Sequence, residues 1–169
     1  MNSTKAAIIE MFWQLLDKKP YSKITVKDIV TGCQINRNTF YYYFQDIPDL
    51  LQQTTEDYAD SIIQNYNRFS SLADCLVPII DACRERKRAL LHIYKSMQRE
   101  VFLTQLERTV LYVVTRYIST AEKESELSEE DRSMLVWYYK CTLVGIFLDW
   151  LDKDMAYDLQ QCFVRIQEL

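Results

Sequence analysis

The 169-residue chain is 49% hydrophobic and 26% charged, with 2 Gly and 3 Pro. That much apolar material excludes a disordered chain, and so few turn residues exclude the many short loops of a β-sandwich or barrel. A net charge of −4 excludes nucleic-acid binding by bulk positive charge alone.

The charge is unevenly spread. Residues 1–50 hold six Lys or Arg against five acids, +1, while the remainder holds 14 against 19, −5. This polarity permits a DNA-binding head on an acidic body but carries little weight. Five cysteines are scattered without a C-x-x-C pair, and His92 is the single histidine. No metal site of familiar spacing and no cofactor is expected, and reduced thiols in a cytoplasm are the simplest reading. No basic segment leading into an apolar run opens the sequence, which predicts no secretory leader.

In chain order, Ala6 to Leu16 spaces Ile8, Ile9, Phe12, Trp13, Leu15 and Leu16 along one helical face, and Pro20 stops the helix. Thr25 to Asp28 reads as a capping box for a short helix ending near Gly32 or Cys33. Asn36 is the next good cap, opening a helix to about Tyr42. Two short helices across a tight turn form a helix-turn-helix pattern. Asp46 caps a long helix from Ile47 towards Phe69, broken by Ser70 and Ser71. Leu72 to Glu85 carries Pro78, which predicts a kink or a late start. The run Arg84 to Arg88 reads as a solvated loop in preference to a second anion site. Helices to about Met97 and over Glu100 to Ala121 follow, then an acidic loop from Glu122 to Asp131. Ser128 caps a helix whose stretch Leu135 to Leu151 is apolar almost all round, and a last helix is expected from Met155 to Leu169. At about 17 residues, interrupted by Lys140 and Asp149, the apolar stretch reads as too short and too charged for a membrane span. About nine helices make an all-α fold.

On the outward side of the helix-turn-helix lie Lys27, Asn36, Arg37, Asn38, Thr39, Tyr41, Tyr42 and Tyr43. Arg and Asn form bidentate contacts to guanine and adenine, and hydroxyls suit phosphates. Phe40 and Phe44 are spaced to pack inward. The stretch Ile24 to Phe44 resembles the DNA-binding segment of TetR-family regulators. Its ending Thr39-Phe40-Tyr41-Tyr42-Tyr43-Phe44 is close to that family's Thr, apolar, Tyr, Tyr, His, Phe signature. Gly145-Ile146 and Trp150-Leu151 are similar to a subgroup related to dihydroxyacetone-kinase-operon regulators.

The resemblance implies base-reading roles for Lys27, Arg37 and Asn38, and backbone contacts from Thr25, Thr39, Tyr41, Tyr42 and Tyr43. Four positions depart from it: Gln34 and Asn38 each stand for Gly, Tyr43 for His, and Ile47 for a phosphate-binding Lys. Residues 1–46 are expected to form the helix-turn-helix domain, and 47–169 a helical effector-binding and dimerisation domain. A helix apolar all round must be covered on most sides. In TetR-like proteins the last two helices build a four-helix dimer interface, which implies such roles for Leu143, Ile146, Phe147, Trp150, Leu159, Phe163 and Ile166. His92, Tyr94, Met97, Phe102, Trp137, Tyr138 and Cys141 are candidates to line an effector pocket, with ordinary core packing the competing reading for each.

With no Gly-rich phosphate loop and one His without a paired nucleophile, no enzyme is expected. The expected function is a cytoplasmic homodimer that binds a pseudo-palindromic operator in double-stranded DNA, a repressor controlled by a small molecule or partner. The rivals are a TetR-like coactivator or adaptor that works through a protein partner without specific DNA binding, and a small-molecule carrier with a vestigial head. No membrane partner is expected.

Overall fold

A computed structural model describes residues 3–65, 72–97, 99–121 and 127–167. Among them are nine α-helices, a 3-10 turn at Tyr21–Lys23 and no strand. The helices are α1 (Ser3–Lys18), α2 (Val26–Gly32), α3 (Arg37–Tyr43), α4 (Ile47–Asn65), α5 (Leu72–Glu85), α6 (Lys87–Ser96), α7 (Arg99–Ala121), α8 (Glu129–Asp152) and α9 (Leu159–Gln167). The all-α class and the helix-turn-helix followed by a helical body are as expected.

The chain forms two compact units. The first takes Met1–Thr55 together with Arg86–Phe102, and the second Glu56–Glu85 together with Leu103–Leu169. In the first unit, the apolar face of α1 (Ile8, Phe12, Trp13, Leu16) is buried with Ile29, Val30, Phe40, Phe44, Leu50 and Leu51. Ala89 and Ile93 of α6 belong to the same core. Each large side chain removed from water there contributes about 1.5–3 kcal/mol. Arg86 lies over the Trp13 ring at 4.7 Å, and His92 Nδ1 is 2.6 Å from the Leu16 carbonyl oxygen. The lone histidine thus ties α6 to the end of α1.

In the second unit, Leu76, Ile80, Val113, Val114, Ile118, Leu143, Val144, Trp150, Leu151, Met155 and Leu159 are buried. Asp60 accepts hydrogen bonds from Tyr112 Oη at 2.7 Å and Arg116 Nε at 3.1 Å, joining α4 to α7. Trp150 is fully buried and donates its indole N–H to the Tyr157 carbonyl at 3.0 Å, closing the turn between α8 and α9.

Three expectations change. The last helix begins at Leu159, not Met155, because Asp154 and Met155 take φ of 53° and 52°, outside the helical region. Their amides close on the Leu151 and Trp150 carbonyls, a Schellman end to α8, and Asp158 then caps α9 through the Gln161 N–H. Pro78 lies inside α5, which starts at Leu72, so it does not mark a late start. At 24 residues α8 is long and apolar enough by length and composition to cross a membrane, so the length argument against a span falls away. A core helix of a soluble protein meets the same criterion. The expected breaks at Ser70–Ser71 and the first half of the acidic loop, 122–126, lie outside the described residues.

Candidate nucleic-acid interface

The head is assembled from local hydrogen bonds. Thr25 Oγ1 accepts from the Asp28 N–H at 3.2 Å, and Asp28 Oδ2 accepts from the Thr25 N–H at 2.8 Å, completing the capping box of α2. Lys19 Nζ sits 2.8 Å from Asp28 Oδ2. That ammonium, with the Thr25 hydroxyl, holds the Asp28 carboxyl down at about 2. At the other end of α2, Ile35 N–H reaches the Val30 carbonyl and Gln34 N–H the Thr31 carbonyl, a Schellman pair that reverses the chain. Gln34 occupies its left-handed position with φ 55°.

The reversal delivers Asn36 as the cap of α3. Its Oδ1 accepts from the Thr39 N–H at 2.9 Å and the Thr39 hydroxyl at 3.1 Å. Asn36 and Thr39 are therefore committed to each other. Beyond the cap, Arg37, Asn38, Tyr41 and Tyr42 share one exposed arc of the helix, while Phe40 on the opposite arc is fully buried. Tyr42 is 80% exposed, more than any large apolar residue of the core side needs to be. Tyr43 is half-buried, its ring edge-on to Tyr42 at 4.9 Å. Lys27 is exposed on α2, and Lys5 Nζ stands 5.8 Å from the Phe44 ring at the end of α3.

The first turn of α4 is different. Ile47 packs against the head core, Asp46 Oδ1 accepts from the Asp49 N–H at 2.8 Å, and Asp49 Oδ2 accepts from the Gln45 N–H at 2.8 Å. Two carboxylates close this helix start, where a phosphate would otherwise find free amides.

The effector candidates divide between the two units. His92, Tyr94, Met97 and Phe102 lie in the first, where Met97 and Phe102 pack on the head core and the Tyr94 and Phe102 rings meet at 4.9 Å. Trp137, Tyr138 and Cys141 lie on exposed positions of α8 in the second. Of the interface candidates, Leu143, Trp150 and Leu159 are buried within the chain, Ile146, Phe147 and Phe163 are half-buried, and Ile166 is exposed. The exposed apolar stripe of α8 runs instead through Met134, Trp137, Tyr138, Cys141 and Gly145, one arc at helical spacing. A Cβ at Gly145 would meet nothing within 4 Å. All-round apolarity hid this division, since no polar side marks which arc the chain covers for itself.

A capped three-helix head with an outward recognition helix, followed by a helical body, defines a helix-turn-helix transcriptional regulator. The chain belongs to the TetR family: residues 8–54 match "Bacterial regulatory proteins, tetR family", and residues 70–169 match "Transcriptional regulator C-terminal region". It is 27% identical over 148 residues to the "HTH-type dhaKLM operon transcriptional activator DhaS" of Lactococcus lactis, covering 85% of this chain and 76% of that protein. The expected kinship with dihydroxyacetone-kinase-operon regulators is thereby supported. A solved structure of a "Dihydroxyacetone kinase operon activator DhaS" aligns with a TM-score of 0.70 at 21% identity, over 99% of this chain and 94% of that one. A TetR transcriptional regulator from Streptococcus agalactiae aligns at 0.56 and 21% identity, over 96% and 90%. The chain is a transcriptional regulator and not an enzyme.

Proposed function

We propose that this regulator acts as a homodimer that reads a pseudo-palindromic operator, with Lys27, Arg37 and Asn38 at base edges and Thr25, Tyr41, Tyr42 and Tyr43 on phosphates. The observation that carries the reading is the exposed arc of α3, where Arg37, Asn38, Tyr41 and Tyr42 stand outward from a fully buried Phe40. Asn36 and Thr39 serve it by capping, with the helix N-terminus available to a phosphate. Residues 1–46 form the DNA-reading part, and 47–169 carry dimerisation and the response to a small molecule or protein partner, with α6 joined to the head. The dimer face is centred on the exposed stripe of α8 and on Val164 and Ile166 of α9, in place of the buried Leu143, Trp150 and Leu159. Repression was the expectation for the sign of regulation; the Lactococcus relative is named a transcriptional activator, which favours activation. Nothing in the comparisons supports the adaptor without DNA binding. The place of action is the bacterial cytoplasm.

Band-shift assays on the DNA upstream of the protein's own gene test the reading. Specific binding is expected, with Arg37→Ala and Tyr42→Ala each weakening it by about tenfold, in line with 1–3 kcal/mol for a good base or phosphate contact. Absence of specific binding, or indifference to both substitutions, sinks it. Light scattering at micromolar concentration should give twice the chain mass of 20.2 kDa.

A further inference from the structure

The sequence divided at residue 50 shows almost no charge preference for the head. The folded units show a large one. The first unit holds eleven Lys or Arg against six Asp or Glu, +5, and the second holds nine against eighteen, −9. The change comes from α6 and its flanks, since residues 86–102 hold Arg86, Lys87, Arg88, Lys95 and Arg99 and one acid, Glu100. All five cations are solvent-exposed. They are fixed to the head, because Ala89 and Ile93 of α6 are buried in its core and Arg86 lies over Trp13.

We infer that α6 is an electrostatic steering element for duplex DNA, drawing the polyanion to the unit that bears the recognition helix without contributing contacts in the final complex. The inference rests on the DNA-binding reading above. Its physical ground is that the recognition helix holds one cation, Arg37, in seven residues, so α3 itself generates little long-range field. A unit at +5 attracts DNA over roughly a Debye length, about 30 Å at 0.01 M salt and about 8 Å at 0.15 M. Steering of this kind changes association rates by about 10- to 1,000-fold at low salt and leaves dissociation alone.

The test is stopped-flow association of the full chain with two labelled duplexes, one from upstream of its own gene and one of random sequence. Arg88→Glu and the triple variant Lys87→Glu, Arg88→Glu, Lys95→Glu lower the charge of the first unit to +3 and −1 by sequence. Arg86 and Arg99 are left alone because they lie over Trp13 and Tyr94. The triple variant is expected to associate about tenfold more slowly at 0.01 M salt and within about twofold of the wild type at 0.15 M. Dissociation rate and footprint should be unchanged. The neutral triple Gln variant should fall between the two, which separates charge from any loss of folding. An unchanged association rate at low salt overturns the inference. So does faster dissociation with a salt slope reduced by about one per residue, which would make these side chains phosphate contacts. Equal binding of the two duplexes defeats the specific-DNA reading while the kinetics still decide the steering; binding of neither defeats both.

Discussion

Gln34 shows how one residue can be structurally right and energetically imperfect. Its φ of 55° completes the Schellman turn between α2 and α3, yet a side chain with Cβ in that conformation costs about 1–2 kcal/mol. Gly relieves the strain but adds unfolded-state entropy worth about 0.4–1 kcal/mol. Gln34→Gly is therefore expected to raise stability by up to about 1 kcal/mol, read as a higher urea midpoint with an unchanged slope. A lower midpoint would refute the strain argument. Tyr21 makes the opposite case. Its hydroxyl oxygen is buried without a hydrogen bond among the described residues, and burial, helped by Asp46, raises its ionisation to about 12. A raised folded value means stability is whole below pH 10, where the unfolded tyrosine is still protonated, and falls as pH climbs from 10 towards 12. Tyr21→Phe should leave stability at pH 7 unchanged or higher and flatten that alkaline fall in a denaturation series.

The helix-turn-helix was legible at the scale of the element because its determinants are local. Thr25 with Asp28, and Asn36 with Thr39, are three residues apart, and their hydrogen bonds need no distant partner. Asn36→Ala should cost about 1 kcal/mol of stability in thermal unfolding. Asn36→Asp should retain the cap, and a variant as unstable as the alanine form would show that capping is not what Asn36 supplies. At α2, the Asp28 carboxyl is held at about 2 chiefly by Lys19. A depressed carboxyl contributes stability above its unfolded value near 4, lost as pH falls from there towards 2. The pair is about one-third exposed, so the contribution is modest, and Asp28→Asn should remove that part of the acid transition. Where the element depends on something further away, the sequence was less informative. The late start of α9 follows from Trp150 and the two left-handed residues before it, which no periodicity announces.

For the whole molecule, the consequential event is the return of residues 86–102 to the head. His92 meets Leu16 across 76 positions of sequence, and with α6 come the cations that turn a head of +1 into a unit of +5. The exposed stripe of α8 belongs to this scale too. Trp137 and Tyr138 are 63% and 54% exposed, a heavy load of aromatic surface for one isolated chain. In the proposed dimer, Trp137→Glu should shift the light-scattering mass towards a single chain at micromolar concentration without changing the helical circular dichroism. A variant that stays dimeric would place the interface elsewhere.

By itself the sequence determined the helix class, both caps, the turn at Gln34 and the outward arc of α3, because each is set by groups within a few residues of one another. Only the tertiary structure decided that α6 belongs to the head and that Leu143, Trp150 and Leu159 face the chain's own interior. It also decided which arc of α8 is left open. These outcomes depend on which distant element covers a given face, and a helix apolar all round, or a basic helix far along the chain, carries no local mark of its neighbour.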